Sequence, residues 1–247
     1  MLIFASLAFA ATLMPSTTVA RPTLRPPARP IAYGTIGFNK AIFHVVKADL
    51  SSGLVQPEAV YRPGLVSSWK LVAGSNATVG ITGTFFAPRS GYPVGDVLID
   101  GDLKVKGARG SAIGIDHFGG VKIFDTRFGE EYDWSQYRFG IRGVVRIVSN
   151  GVVNPNPKAQ RFRDRRIWGK ASRTAVGLDT NGKLVLMATK KDVTLSHLGK
   201  AMLSQNVVEA VSLDGGSSTC LYYRGKMVIG ADRRLSNMFV LQEKPAY

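Results

Sequence analysis

Cysteine and histidine are scarce in this sequence. Its 247 residues include one cysteine, Cys220, and three histidines. A single cysteine excludes an intramolecular disulfide and a cysteine-based zinc site, and we expect Cys220 to be a small buried hydrophobic residue. The histidines His44, His117 and His197 are too scattered for a recognisable metal motif. We therefore expect no cofactor and no dedicated metal site, although a carboxylate and a phosphate could share an ion.

Acidic residues are also few, because 17 Asp and Glu face 32 Lys and Arg, a formal net charge of +15. Such a positive field favours an anionic partner. The chain is 45% hydrophobic and contains 12 Phe, 8 Tyr and 3 Trp, which excludes a disordered or collagen-like protein. Its length suits one large domain or two small ones, and we expect a monomer.

The first 20 residues carry no charge, and their apolar run, Leu2 to Met14, is too short to span a membrane. Small residues follow at Thr18-Val19-Ala20, although no basic residue precedes the run. We predict a signal peptide over residues 1–20 and a secreted, periplasmic or extracellular protein without a transmembrane span after cleavage; an uncleaved anchor is the alternative. Residues 21–30 contain four Pro and three Arg and predict an extended linker, so that the folded domain covers residues 31–247.

Short β-branched and aromatic runs separated by turn residues dominate the rest of the chain. The predicted strands are Phe43 to Leu50, Val79 to Phe86, Val94 to Ile99, Ser111 to Asp116, Val121 to Phe124, Ile141 to Val148, Thr174 to Leu178, Leu184 to Thr189, Val207 to Leu213, Thr219 to Tyr223 and Asn237 to Gln242. Asp100-Gly101, Asn150-Gly151 and Asn181-Gly182 predict tight hairpin turns. Helical spacing occurs in Thr194 to Gln205 and, more weakly, in Leu65 to Ala73. The sequence predicts a single α+β domain, rich in mixed or antiparallel sheet.

Three local patterns are candidates for chemistry. In Leu213 to Thr219, an acid followed by two glycines ends an apolar strand, so Asp214 stands either beside an anion-binding turn or in an ordinary loop. In Thr82 to Phe86, followed by Pro93 to Asp96, small residues within a strand indicate a close approach, by another backbone or by a ligand. In Ser172 to Thr174, Arg173 could bind a phosphate or form a structural ion pair.

Taken in order, these patterns resemble the phosphodiester glycosidase family. The family pattern N-G-G-F-F, P-V-G, R-T-A-x-G, L-D-G-G-G-S-S and a terminal S-N strand is matched by Thr82 to Phe86, Pro93 to Gly95, Arg173 to Gly177, Leu213 to Ser218 and Ser236-Asn237. The G-T-F-F form of the first motif is most similar to bacterial secreted members. Thr82 replaces the family's Asn, and one glycine after Asp214 is missing.

The resemblance implies a hydrolase that cleaves the glycosidic bond of sugar-1-phosphodiesters. Asp214 is then the nucleophile or general base, Asp96 the second carboxylate, and Arg173 and Arg142 phosphate ligands. The separation of the two carboxylates would distinguish a retaining from an inverting route. The further substrate-binding residues that it implies are Thr82, Gly83, Thr84, Phe85, Gly215, Gly216, Ser217, Ser218 and Asn237.

A basic segment from Lys158 to Arg173 carries seven cations against one acid, Asp164. It predicts attraction of anionic glycans, such as phosphoglycans of the cell envelope or exopolysaccharide. Phe162 and Trp168 within it also allow a single-stranded nucleic-acid groove, which an exported protein would rarely use, and a solvated loop without a ligand is a third reading. A non-catalytic binding protein for anionic polysaccharide or cell wall is the alternative to the enzyme.

Overall fold

The computed structural model of the protein describes residues 29–245. The predicted signal peptide and most of the predicted linker lie outside these residues. Within the described part, no helix has the length and apolar character needed to cross a membrane.

The described chain forms sixteen strands and three short helices. The strands are β1 (Ile31–Phe38), β2 (Ala41–Ala48), β3 (Val55–Val66), β4 (Val79–Thr82), β5 (Val97–Ile99), β6 (Asp102–Val105), β7 (Ser111–Asp116), β8 (Val121–Phe124), β9 (Tyr137–Ser149), β10 (Val152–Val153), β11 (Ala171–Asp179), β12 (Leu184–Val193), β13 (Val207–Ser212), β14 (Leu221–Tyr223), β15 (Lys226–Ile229) and β16 (Leu235–Glu243). The helices are α1 (Ser68–Ala73), α2 (Arg165–Trp168) and α3 (Leu195–Leu203), and 3₁₀ turns occur at Leu50–Ser52 and Gly216–Ser218.

The strands form two sheets. The large sheet has the order β1-β2-β12-β11-β13-β9-β5-β6, with β10 beside β9 and the β7–β8 hairpin paired to β9; the small sheet has the order β15-β14-β4-β16-β3. All these strand pairs are antiparallel. Neighbouring strands such as β11 and β12 are joined by tight turns, whereas β4 and β16, which pair centrally in the small sheet, are far apart in sequence.

Alternation along the strands produces four layers, because successive side chains point to opposite faces of a sheet. Val176 and Val211 of the large sheet pack with Ile81 and Phe239 of the small sheet in one core between the sheets. On the outer face of the large sheet, α3 covers a second core. A third core lies under α1, where Leu71 packs with residues of the small sheet.

The predicted fold class is confirmed, and each predicted strand overlaps an observed one. Helix α3 begins after Thr194, whose side chain accepts a hydrogen bond from the His197 amide. The weaker helix is shorter than predicted, because residues 65 and 66 continue β3. In the turn at Asn181-Gly182 only the glycine has positive φ, 73°, so this turn lacks the two consecutive positive φ angles of a type I′ hairpin turn.

Candidate active site

One pocket collects the ends of strands from both sheets. The chain after β4 supplies Phe85 and the chain after β13 supplies Asp214, and together with Arg173 they line a pocket of about 310 Å³. The full lining is Phe85, Phe86, Pro88, Val94, Arg109, Phe162, Arg163, Asp164, Arg166, Ile167, Ala171, Arg173, Asp214, Gly215, Gly216, Ser217 and Arg233. The structure thus brings together Asp214 and Arg173, which are distant in sequence.

Backbone hydrogen bonds join the two sheets beneath this pocket. The Asp214 amide donates to the Gly83 carbonyl (3.0 Å), and the Thr174 hydroxyl donates to the Asp214 carbonyl (2.8 Å). The end of β13 is therefore fixed to the end of β4 on one side and to β11 on the other. This arrangement determines where the Asp214 side chain begins.

The buried hydroxyl and amide groups of the matched motifs hold those motifs together. Thr82 Oγ1 donates to the Ser218 carbonyl (2.5 Å), and Asn237 Oδ1 accepts from the Thr84 amide (2.6 Å). All four residues are buried and none of them lines the pocket. Thr82, Thr84, Ser218 and Asn237 are expected from the sequence to contact substrate; the structure places them beneath the pocket, where these hydrogen bonds are made inside the fold.

Two glycines are required by close approach. A Cβ atom at Gly83 would lie 2.0 Å from Asn237 Oδ1, and one at Gly215 would lie 2.6 Å from the Ser172 carbonyl oxygen. Gly83 therefore shapes the floor without lining the pocket. Any side chain at either position would displace the residues that position Asp214.

The Asp214 carboxylate is nearly enclosed, with 9% of the side chain exposed. Its Oδ1 accepts from the Gly215 amide at 3.0 Å, and its Oδ2 lies 2.8 Å from Nη2 of Arg233. Burial raises the pKa of Asp214, while Arg233 and hydrogen bonds from Ser218 and Gly215 oppose that rise. In this turn the Gly215 amide donates to the Asp214 carboxylate. The next two amides, of Gly216 and Ser217, donate no hydrogen bond within residues 29–245.

Arg233 is a site residue that the sequence reasoning missed. Its guanidinium contacts Asp214 and the Ser218 hydroxyl and lies over the Phe86 ring, 4.3 Å from the centroid. The neighbouring Asp232 amide donates to the Ser217 carbonyl at 2.8 Å, which ties this segment to the Asp214 turn. The available signal was the position of Arg233, three residues before the Ser236-Asn237 motif.

Arg173 lines the pocket, but much of its guanidinium is bound to backbone. Nη2 donates to the carbonyls of Ile167 (3.1 Å) and Gly169 (2.6 Å) and is 3.2 Å from that of Arg166, while Nε donates to Val193 (3.3 Å). Burial lowers the pKa of Arg173, and the nearby carboxylates of Asp192 and Asp214 oppose this effect. Arg173 therefore holds the basic segment against the pocket, and Nη1 alone makes no hydrogen bond within the described chain.

The structure places Asp96 and Arg142, which the sequence analysis assigned to the substrate site, outside the pocket. Neither lines the pocket; both are buried, and Asp96 Oδ2 lies 3.5 Å from Arg142 Nη1. The Asp96 carboxylate accepts from the Gly107 amide (2.8 Å) and from Trp134 Nε1 (2.9 Å). Asp96 is therefore not a second carboxylate of the pocket, and Arg142 is not a phosphate ligand there.

The basic segment supplies one wall of the pocket. Asp164 caps α2 and pairs with Arg166 at 2.6 Å, and this hydrogen bond lowers the pKa of Asp164. Asp164 is thus the second carboxylate that lines the pocket. Arg163 and Arg109 line it too, and within residues 29–245 neither has a carboxylate within 4.0 Å. The apolar side is formed by aromatic rings, including Phe85 and Phe162 with centroids 5.3 Å apart.

The structure places the histidines and Cys220 away from this pocket. His44 Nδ1 lies 2.7 Å from the Tyr33 hydroxyl, and His197 Nε2 lies 3.3 Å from the Phe38 carbonyl. No group of three or more potential metal-ligating side chains occurs in the described chain.

Comparison with known sequences finds two relatives that share the same enzyme name. The bovine and human proteins called N-acetylglucosamine-1-phosphodiester alpha-N-acetylglucosaminidase are 28% and 27% identical to this chain over 178 residues, which is 62% of this chain. The alignment spans about a third of those relatives, 32% and 33% of their lengths.

Comparison with solved structures supports the fold. A protein from Synechocystis has a TM-score of 0.74 at 14% identity, with 86% of this chain and 62% of that chain covered. The zebrafish N-acetylglucosamine-1-phosphodiester alpha-N-acetylglucosaminidase catalytic domain, auto-inhibited by its pro-peptide, has a TM-score of 0.71 at 19% identity, with 89% and 86% covered. The family model described as Phosphodiester glycosidase matches residues 75–242, a stretch that contains every residue lining the pocket. This chain therefore belongs to the phosphodiester glycosidase family.

Proposed function

We propose that this protein is a hydrolase that cleaves the glycosidic bond of a sugar-1-phosphodiester. The observation that carries the proposal is the nearly enclosed Asp214 carboxylate in a pocket rich in guanidinium groups. The arginines that line it are Arg109, Arg163, Arg166, Arg173 and Arg233. The names of the bovine and human relatives describe this class of bond.

The charges of this pocket match the charges of the reaction. When the bond between the anomeric carbon and the phosphate oxygen breaks, its electron pair leaves with the phosphate, and positive charge develops on the sugar ring. A carboxylate stabilises the sugar, and guanidinium and amide N–H groups stabilise the phosphate. The phosphate monoester that leaves is a weak base, so its departure needs little proton donation.

Asp214 has two possible tasks, which lead to different products. As a nucleophile it would bond to the anomeric carbon and be displaced by water, so the anomeric configuration would be retained. As a general base it would take a proton from the attacking water, and the configuration would be inverted. In both routes water supplies a hydroxyl to the sugar, and its proton passes to solvent or to the released phosphate. The first anomer formed, observed by NMR, distinguishes them.

The free donors of the pocket indicate how the phosphate is held. The Gly216 and Ser217 amides are available because the 3₁₀ turn leaves its first N–H groups unpaired. Arg163 and Arg109 supply positive charge that no carboxylate within 4.0 Å neutralises in the described residues. Arg233 holds Asp214, and Arg173 holds the wall from which Arg163 extends.

Asp214→Asn tests the proposal, because it removes the charge and keeps the shape of the side chain. We expect methyl N-acetylglucosamine-1-phosphodiester to release free sugar with the wild type, and the variant to lose at least about 1,000-fold in kcat, by analogy with the removal of other catalytic groups. Asp179→Asn is the matched control. Asp179 is also buried, but its Oδ1 accepts from two amides of the β11–β12 turn, away from the pocket.

Full turnover by Asp214→Asn would contradict the assignment of Asp214. Release of methanol with retention of the sugar phosphate would show that a P–O bond breaks, and would contradict the proposed reaction. Equal losses in Asp214→Asn and Asp179→Asn would indicate damage to the fold.

The natural substrate that we propose is an anionic phosphoglycan of the cell envelope or exopolysaccharide, met by an exported protein. The support for it is the net charge of +15 and the basic segment beside the pocket. Long-range attraction of this kind weakens with salt. N-terminal sequencing of the mature protein tests the export step, and a full-length cytosolic product would contradict it.

A binding protein without catalysis is the second candidate. The observation that favours it is Thr82, which replaces the Asn of the family pattern and is buried with its hydroxyl bound to Ser218. Such a protein would bind sugar phosphodiesters through the same arginines and release no sugar. The turnover assay above separates the two candidates.

A further inference from the structure

An exposed aromatic ring lies beside two arginines next to the pocket. Phe128 is 53% exposed, and the guanidinium carbons of Arg109 and Arg161 each lie 5.8 Å from its ring centroid. Within residues 29–245, neither guanidinium has a carboxylate within 4.0 Å. Because each guanidinium carbon lies 5.8 Å from the same ring centroid, the two cations are separated by no more than twice 5.8 Å. We call Arg109, Phe128 and Arg161 the Phe128 platform.

The loop that carries Phe128 is fixed from below. The buried Arg142 guanidinium donates to the Arg127 carbonyl (2.6 Å) and the Glu130 carbonyl (2.9 Å), on either side of Phe128. The Gly129 amide donates to the Ala108 carbonyl (3.0 Å), which ties this loop to the residue before Arg109. Because the buried Arg142 guanidinium holds the backbone on both sides of Phe128, the exposed ring has a defined position.

The second arginine is also held in place. Arg161 has a φ of 63°, in the left-handed region that costs energy for most residues, and its amide donates to the Lys158 carbonyl (2.9 Å). The next residue, Phe162, is buried against Phe85 of the pocket. The packing of Phe162 thus directs Arg161 away from the core, towards Phe128.

We propose that the Phe128 platform is a second anion-binding subsite, which takes a further phosphate of a substrate that contains several phosphodiester units. The platform is continuous with the pocket, because Arg109 belongs to both and Phe162 lines the pocket beside Arg161. Arginine binds phosphate through paired N–H donors, and an aromatic face packs against the apolar face of a sugar ring. This inference rests on the proposed function and extends it from a single linkage to a polymer.

A glycan polymer fits these observations better than a nucleic acid. A polymer whose next phosphate reaches the platform places its terminal sugar in the adjoining pocket, beside Asp214. A nucleic acid could stack a base on Phe128, but it has no sugar-1-phosphate linkage to present to the carboxylate. The experiment includes an oligonucleotide for this reason.

The test compares two substrates that have the same sugar-1-phosphodiester linkage but different chain lengths. The substrates are methyl N-acetylglucosamine-1-phosphodiester, with one phosphate, and a short oligomer of N-acetylglucosamine-1-phosphate units joined by phosphodiester bonds. The variants are Arg161→Asn, chosen because Asn tolerates a left-handed backbone, and Phe128→Ala. Arg138→Asn is the matched control, since Arg138 is partly exposed and lies 5.0 Å from the Phe139 ring, but pairs with Asp100 at 2.7 Å away from the pocket.

We expect Arg161→Asn and Phe128→Ala each to raise the KM for the oligomer about fivefold, with kcat and the KM for the monomer unchanged. Arg138→Asn should change neither KM. Higher salt should raise the KM of the wild type for the oligomer more than for the monomer, and Arg161→Asn should reduce this difference.

Equal KM changes for the two substrates, or no change for either, would overturn the proposal. So would a dT oligomer that binds wild type more tightly than the glycan oligomer and loses affinity in Arg161→Asn, because it would assign the platform to nucleic acid. If wild type cleaves neither substrate, the proposed function fails. Calorimetry of glycan-oligomer binding to wild type and Phe128→Ala then still decides on the platform.

Discussion

Asp214 experiences two opposing influences at the residue scale. Burial raises its pKa because a low-dielectric surrounding disfavours the charged form, and the guanidinium of Arg233 lowers it. Among the groups that lower this pKa, the Arg233 guanidinium, 2.8 Å from the carboxylate, has the largest effect, and hydrogen bonds from Ser218 and Gly215 add to it. This makes Arg233 the residue through which the pH dependence of the reaction can be changed.

Replacing Arg233 with Gln should move the acidic limb of the kcat/KM profile to higher pH. If Asp214 acts as a carboxylate, activity is lost as the pH falls through its pKa in the folded protein. Loss of the adjacent cation raises that pKa, so the limb moves to higher pH. A pH series with methyl N-acetylglucosamine-1-phosphodiester measures it.

Arg234→Gln is the control for this prediction. Arg234 is exposed and adjacent to Arg233 in sequence, but it does not line the pocket. Its replacement by Gln removes the same charge from the protein. An unchanged acidic limb in Arg233→Gln, or equal shifts in the two variants, would contradict the role assigned to Arg233.

The motifs that resemble the phosphodiester glycosidase family implied that Asp214 and Arg173 share one site, and both residues line the pocket. The same information misplaced Asp96 and Arg142. The sequence alone does not distinguish a carboxylate or guanidinium that faces substrate from one that faces a buried partner. Only the packing of Trp134 and the backbone of residues 107–130 shows that this pair is satisfied internally.

At the scale of elements, Arg142 organises irregular backbone. Its side chain is 1% exposed and donates to carbonyls of two separate loops, at Gly107 (3.2 Å) and Glu130 (2.9 Å), as well as to the Thr126 hydroxyl (2.7 Å). Loop carbonyls have no regular backbone hydrogen-bond partners of the kind found in strands. Here a buried guanidinium with several N–H donors supplies those hydrogen bonds. The price of this device is a buried charge that needs Asp96.

Arg142→Met should lower the free energy of unfolding by about 3–5 kcal/mol, since it leaves the Asp96 carboxylate buried without a countercharge. Urea denaturation followed by circular dichroism measures the loss. Arg142→Met combined with Asp96→Asn should recover part of it, because the uncompensated charge is gone.

Lack of recovery in the double variant would show that the lost loop hydrogen bonds, and not the isolated charge, account for the destabilisation. A stability change below 1 kcal/mol in Arg142→Met would contradict the structural role of the arginine.

The elements differ in how well their sequences predict them. The helix α3 was predictable because Thr194 caps it and Leu198 and Met202 share its buried face. The first strand, β1, was not, because its interior residues are mostly exposed at the edge of the sheet and show no buried alternation. The last part of the predicted strand Val79 to Phe86 leaves β4 after Thr82, where the chain turns into the pocket.

At the scale of the whole molecule, the two sheets depend on one another. The core between them takes residues from both, including Val211 of the large sheet and Phe239 of the small sheet. Hydrogen bonds such as that from the Asp214 amide to Gly83 cross the same boundary. Sequence patterning predicted most of the strands but not their division into two sheets, because β4 and β16 pair across more than 150 residues. We expect the sheets to unfold together.

The lone cysteine makes this cooperativity measurable. Cys220 is buried in the core under α1, and burial raises the pKa of its thiol to about 11, so in the folded protein it is both inaccessible and protonated at neutral pH. A thiol reagent should label Cys220 only when the small sheet opens. Trp134 is buried in a cluster beside the large sheet, so its fluorescence reports on unfolding of that sheet. Trp69→Phe and Trp168→Phe remove the fluorescence of the other two tryptophans.

We expect thiol labelling and Trp134 fluorescence to follow the same denaturant midpoint, with no labelling under native conditions. The physical reason is the shared core, which cannot be exposed on one sheet without being lost by the other. Labelling at lower denaturant than the fluorescence change would show that the small sheet opens independently. Because the Asp214 turn is attached to both sheets, such opening would also abolish the pocket before the large sheet unfolds.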